Sequence, residues 1–183
     1  MKFINKYESF SIRNEYEKSS PKEYYSNNKN EYYNPHSKKI FKCLDYLISE
    51  INIRYFLDLG CGNGIVSEYL LNKSYNDFKG CDPYFKDIYE KKFNKDCFDK
   101  SFEDISKTGL NEKFDTIICS YALHLCEPTY FNNLLYQLSD NCKKFIVISP
   151  SKYPIISNDY FELDSKSIFD RAHIRIYNSK INI

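Results

Sequence analysis

Glycine is scarce in this 183-residue chain, standing only at positions 60, 62, 64, 80 and 109. Three of the five fall in one string, FLDLGCGNG (residues 56–64), and a fourth lies two residues before Asp82. The string begins as an apolar run and leads into GIVSEYLLNK, so it reads as a buried strand, a tight turn and the start of a helix. Glycines in such a turn let a ligand approach the backbone closely, and the helix aims its first amides at the same place. A second apolar run, FKGCDPY, closes on Asp82 and Pro83, 18 positions after Gly64. A carboxylate at the end of the neighbouring strand can accept both hydroxyls of a ribose. The candidate ligand-holding residues are therefore Gly60, Cys61, Gly62, Gly64, Asp82 and Pro83. The competing reading is structural: a tight strand-to-helix turn and an aspartate that caps the next helix.

Such residues need elements to position them. PHSKKIFKCLDYLISEI places apolar residues at 40, 41, 44, 47, 48 and 51, the spacing of an amphipathic helix. After the first two strands, KDIYEKKFNK reads as a helix and KDCFDKS as a weak third strand. FDTIICSYAL is a fourth strand rich in β-branched residues, TYFNNLLYQLSDNC a helix, and KKFIVISPS a fifth strand. The last stretch, YFELDSKSIFDRAHIRIYNSK, alternates, which predicts a terminal antiparallel pair near 160–164 and 171–178. Strands alternating with helices imply an α/β fold, a mostly parallel sheet flanked by helices with that antiparallel strand pair at its C-terminal end. Residues 1–34 are polar, with paired tyrosines, and read as an N-terminal arm or lid. Residues 35–183 then form the domain.

Composition narrows the function. Lys plus Arg number 26 against 25 Asp plus Glu, for a net charge of +1. No segment is strongly basic, so a nucleic acid partner is unlikely. The seven cysteines include no CxxC pair, and several fall in apolar strands, as expected of reduced thiols in a cytoplasmic protein. No cluster has the ligand spacing of a metal site. The N-terminus lacks an apolar signal core and no window approaches 18 apolar residues, which argues against secretion and against a membrane span.

FLDLGCGNG, with Asp58 ahead of its glycines, and Asp82 closing the second strand resemble the first two motifs of the Rossmann-like (class I) S-adenosylmethionine-dependent methyltransferases. The resemblance covers about residues 36–150. The GxGxG spacing departs from the GxGxxG of nicotinamide dehydrogenases. What the resemblance implies is a single Rossmann-like methyltransferase domain with S-adenosyl-L-methionine as its cofactor. Asp58 and the Gly60 backbone would face the methionine amino group, and Asp82 the adenosine ribose. The family usually places an Asp and then a small residue at the adenine edge; here Ser101 and Phe102 stand there. The Phe102 amide and the Glu103 carboxylate are the candidate contacts, with Asp104 as the other acid in reach.

The end of the fourth strand, FDTIICSYALHL, offers Ser120 to the cofactor and Tyr121 and His124 to catalysis. His124 reads either as a general base or as a satisfied histidine at a helix start. The string is unlike the NPPY motif of amino-methylating DNA enzymes and looks more like the small-molecule branch. Tyr25, Tyr33 and His36 of the arm, and Arg175 of HIRIY, are the candidate substrate contacts; the alternative is an aromatic arm packed on the sheet edge and a half-exposed strand. The expected activity is methyl transfer to a small-molecule acceptor. The alternatives are a catalytically silent methyltransferase-like subunit that supports a partner, or an RNA methyltransferase.

Overall fold

The computed structural model describes residues 35–181. The first helix, α1 (Ser37–Glu50), buries Ile40, Cys43, Leu44 and Leu47, the stripe its spacing dictates. Helices then alternate with strands: β1 (Phe56–Leu59), α2 (Ile65–Leu71), β2 (Phe78–Cys81), α3 (Lys86–Phe93), β3 (Cys97–Phe98), α4 (Phe102–Thr108), β4 (Phe114–Ser120), α5 (Pro128–Asn141), β5 (Cys142–Ser149), β6 (Phe161–Phe169) and β7 (Ala172–Ser179). A single 3-10 turn, Leu123–Leu125, follows β4. The sheet order is β3-β2-β1-β4-β5-β7-β6. The first five strands run parallel, while β7 pairs antiparallel with β5 and with β6. Winding reverses between β1 and β4, the switch point at which sheets of this kind form their ligand crevice, at the carboxyl ends of the strands.

Both faces of the sheet are covered, so the central strands are apolar on both sides. Ile118, Ile146, Ile148, Ile174 and Ile176 join the α1 stripe in one layer. Leu57, Leu59, Ile117, Phe145 and Val147 pack with Leu134, Leu135 and Leu138 of α5 in the other. Six of the seven cysteines are buried and all are free thiols, serving as small core residues.

Two elements differ from expectation. Helix α4 was not foreseen, because in seven residues it buries only Ile105 and Ser106 and shows no apolar period. What fixes it is a capping box: Ser101 Oγ accepts from the Asp104 amide (3.1 Å), and the Asp104 carboxylate accepts from the Ser101 amide (2.9 Å). Strand β6 runs on to Phe169, well past the expected end, with a register irregularity between Leu163 and Ser165. Among the described residues no helix is long and apolar enough to cross a membrane.

Helix α3 makes a demand on the strands beneath it. Tyr89 is wholly buried, and its ring lies where a side chain on β2 would go. A Cβ on Gly80 would stand 2.7 Å from the Tyr89 ring, and one on Gly64 2.3 Å from the Phe93 ring. Gly80→Ala is therefore expected to cost about 1–3 kcal/mol of stability through overpacking. Thermal melts check this, and the Gly80→Ala/Tyr89→Leu double variant should lose less than the sum of the single changes.

Candidate active site

The carboxyl ends of β1 and β2 are bound together by backbone. Gly60 and Cys61 both donate their amides to the Cys81 carbonyl, at 2.8 and 3.2 Å. Gly60, Gly62 and Gly64 all have positive φ, so the turn follows a path that residues with a Cβ rarely adopt. Asp82 closes the arrangement from β2. One carboxylate oxygen accepts from the Gly62 amide (3.0 Å), the other from the amides of Tyr84 (2.8 Å) and Phe85 (3.1 Å). Asp82 thus does cap the chain entering α3, and it also tethers the glycine turn.

Asp58, the acid ahead of the glycines, is 1% exposed. Its Oδ2 accepts from both the amide (3.2 Å) and the hydroxyl (2.8 Å) of Ser67 on α2. Ser67 Oγ in turn lies 2.5 Å from the Tyr89 hydroxyl. Burial is the largest influence on the Asp58 carboxyl and raises it to about 7; the Ser67 bonds and Lys92 oppose the rise, and the Asp82 charge adds to it. Neither Ser67 nor Tyr89 was singled out from the sequence. The available signal was a serine inside the apolar face of α2, flanked by the buried Val66 and Leu70. A buried hydroxyl in that place needs a partner.

At the end of β4 the backbone turns sharply. Tyr121 adopts φ 54°, and its amide donates to the Ile148 carbonyl at 2.8 Å. A non-glycine residue in that region stores about 1–3 kcal/mol and requires neighbours that hold it there. Its ring stacks on His36, centroids 4.7 Å apart and 22° from parallel. Tyr121 and His36, singled out for different roles, are thus one unit. Burial pushes the Tyr121 phenol up to about 12, so it stays protonated at neutral pH. His36 is held below the ordinary imidazole range by burial and by Lys39. Ser120 Oγ is buried with no hydrogen-bond partner among the described residues. His124 is exposed on the 3-10 turn. The β4 end, the glycine turn and the start of α4 converge, since a Cβ on Gly60 would lie 2.6 Å from Ala122 Cβ and 3.7 Å from the Phe102 ring.

Other candidates are placed differently. The Glu103 carboxylate is paired with Lys107 one turn along α4 (2.5 Å), and Asp104 is occupied by the capping box. The Cys61 side chain points into the core beside Cys97, with sulfurs 3.9 Å apart, which leaves its backbone to the turn. Arg175 is a correction to the half-exposed strand position: it is 8% exposed. It donates to the carbonyls of Lys152 (2.9 Å) and Pro154 (2.7 Å) and to Ser149 Oγ (3.2 Å), so it holds the β5–β6 connection. Tyr25, Tyr33 and the remainder of the arm lie outside the described residues. No group of three metal-binding side chains occurs among the described residues.

A doubly wound sheet with a glycine turn, and with one carboxylate on each of two adjacent strands, defines a Rossmann-like nucleotide-binding fold. A methyltransferase-domain family matches residues 23–175, and the chain belongs to that family. An uncharacterized protein of Schizosaccharomyces pombe is 23% identical over 176 residues, covering 69% of this chain and 71% of that protein. The N-methyltransferase NodS of Bradyrhizobium japonicum, solved in complex with S-adenosyl-L-homocysteine, superposes with a TM-score of 0.63 at 12% identity, over 80% of this chain and 89% of its own. An rRNA methylase of Escherichia coli superposes with a TM-score of 0.61 at 16% identity, over 78% of this chain; the chain spans 64% of that methylase. At these identities the solved structures share the fold.

The protein is an S-adenosylmethionine-dependent methyltransferase. Its residues fit that cofactor, because the turn presents glycine backbone between two carboxylates and Asp58 Oδ1 takes no hydrogen bond from the described residues. The placement of Arg175 gives a direct test. Arg175→Met strands three acceptors and should cost about 2 kcal/mol or more of stability, while S-adenosylhomocysteine affinity stays within about a factor of two. Melting and calorimetry on one preparation separate this from an anchoring role, in which turnover would fall and stability would not.

Proposed function

We propose that the protein transfers a methyl group from S-adenosylmethionine to a small-molecule acceptor. The observation that carries this reading is the balance of charge. Lysines along the chain are matched by carboxylates, as in Lys42–Asp170 (2.6 Å), Lys92–Glu68 (2.8 Å), Lys107–Glu103 (2.5 Å) and Lys144–Asp164 (3.3 Å). These pairs are spread over several elements in a chain of net charge +1. Proteins that follow a phosphate backbone concentrate cations on one face instead.

In this reading Asp58 receives the amino group of the cofactor, Asp82 its ribose hydroxyls and the Phe102 amide its adenine edge. The sulfonium supplies an already activated methyl group, so the protein's task is to hold the acceptor in line and keep water away. In this reading the stacked His36–Tyr121 rings are the wall for the acceptor, and the buried Ser120 hydroxyl, without a partner among the described residues, receives a polar group of the cofactor. The Tyr121 phenol, protonated at neutral pH, donates a hydrogen bond and does not act as the base. His124, on the exposed turn, takes the proton of an acceptor that must lose one.

Asp82→Ala should weaken S-adenosylhomocysteine binding at least about tenfold, since charge-assisted hydrogen bonds contribute about 1.5–3 kcal/mol; calorimetry reads the change. His124→Asn should lower turnover by about a hundredfold or more with cofactor affinity little changed. Lost thermal stability with retained specific activity would assign His124 a structural role instead. Methyl-labelled S-adenosylmethionine incubated with the protein and a cell extract tests the acceptor class. Label in the small-molecule fraction is the expected result. Label in RNA or protein overturns it, and cofactor binding with no labelled product marks a silent subunit.

A further inference from the structure

Three elements meet at the buried carboxylate of β1. Asp58 Oδ2 accepts from the Ser67 hydroxyl at 2.8 Å, and the Ser67 oxygen lies 2.5 Å from the Tyr89 hydroxyl. Ser67 has one hydroxyl hydrogen. While Asp58 is a carboxylate that hydrogen points at Asp58, so the Tyr89 hydrogen must point at Ser67. Burial and the nearby Asp58 charge push the Tyr89 phenol well above its ordinary range, which keeps that hydrogen in place. The donors therefore run one way, from α3 through α2 to β1. A phenylalanine would fill the same hole between Gly64 and Gly80; the hydroxyl is what reaches Ser67.

We propose that Tyr89 is a positioning residue for cofactor capture: acting through Ser67, it holds Asp58 charged and oriented for the cofactor's amino group and so sets the pH range over which the cofactor binds. This rests on the reading of Asp58 as the partner of that amino group. Among the described residues, two charged groups and two thiols act on Asp58 besides Ser67 and Tyr89. Asp82 at the end of β2 opposes its charge, and Lys92 of α3, itself held by Glu68 (2.8 Å) and the Asn63 carbonyl (3.1 Å), favours it. The thiols of Cys61 in the turn and Cys119 in β4 are pushed up by burial and stay neutral. Against the cost of burial, the Ser67–Tyr89 chain is the hydrogen-bonding counterweight.

The sign of the effect follows. A carboxylate attracts the ammonium and a protonated Asp58 does not, so affinity rises as pH climbs through the Asp58 value of about 7. Removing the Tyr89 hydroxyl weakens Ser67 as a donor, stabilises the carboxylate less and moves the midpoint to higher pH.

Calorimetric titration of the full chain with S-adenosylhomocysteine, from about pH 5.5 to about pH 9, tests this. 5′-Methylthioadenosine, which lacks the amino acid portion, serves as the control ligand. Tyr89→Phe should raise the midpoint by about half a pH unit or more and weaken S-adenosylhomocysteine roughly threefold near pH 7, with 5′-methylthioadenosine affinity unchanged. Ser67→Ala should shift it in the same direction and further, and carries the test should Tyr89→Phe fold poorly. An unmoved midpoint, or an equal loss of both ligands, overturns the proposal and leaves Tyr89 a packing residue. Asp58→Asn should abolish the pH dependence and weaken S-adenosylhomocysteine at least about tenfold. If its affinity is undiminished, the reading of Asp58 itself fails.

Discussion

Asp58 is a carboxylate removed from water, and much of the surrounding structure exists to make that tolerable. Burial disfavours its charge, so each lone pair that is not to be wasted needs a donor from the protein. Ser67 supplies two, and it can do so only because α2 begins directly after the glycine turn and brings its third residue back over β1. Tyr89 supports Ser67 from α3, a helix that must then lie close on β2. That closeness is why Gly80 carries no side chain and why Gly64 meets the Phe93 ring. One buried charge thus fixes residue types on four successive elements.

The order of the strands sets what the crevice can hold. Because β4 lies beside β1 and β2 lies on its other side, the connections leaving β1 and β4 depart to opposite faces. The turn after β1 carries glycines and presents backbone. The turn after β4 carries Tyr121, whose left-handed conformation throws its ring toward His36 at the start of α1. The β1 side of the switch point is therefore built of tightly bonded backbone, and the β4 side carries an aromatic pair. Under the proposed function, that division would set the cofactor against the β1 turn and the acceptor against the aromatic pair.

How legible this was in the sequence depended on whether a feature is local. The α1 stripe and the apolar runs of β4 and β5 are dictated by spacing alone, and they fold as their period requires. The glycine string and Asp82 likewise announced the ends of β1 and β2. Helix α4 was hidden because Ser101, Glu103 and Asp104 are also what a solvated loop contains; only the reciprocal bonding of Ser101 and Asp104 distinguishes the two. The burial of Arg175 was hidden for a different reason. Alternation places it on the face opposite Ile174 and Ile176, but that face is covered by the segment carrying Lys152 and Pro154, which no local pattern foretells. The Ser67–Tyr89 contact joins residues 22 apart in sequence on different helices, and no spacing rule reaches it.

Glycine clustering, the most conspicuous signal, has two separate causes. Gly64 and Gly80 are required by the rings of α3, so their smallness would be needed with no ligand at all. Gly60 is required by the approach of Ala122 from the β4 turn, and Gly62 by its positive φ and its bond to Asp82. The stronger evidence for a bound cofactor is the pair of carboxylates. Both Asp82 oxygens accept from backbone amides, whereas the hydrogen bonds that Asp58 takes from the described residues both go to one oxygen. A buried carboxyl raised to about 7, with one oxygen taking no hydrogen bond from the described residues, is costly for folding alone. Under the proposed reading of Asp58, a cationic ligand arriving at that oxygen offsets the cost and links cofactor binding to protein stability.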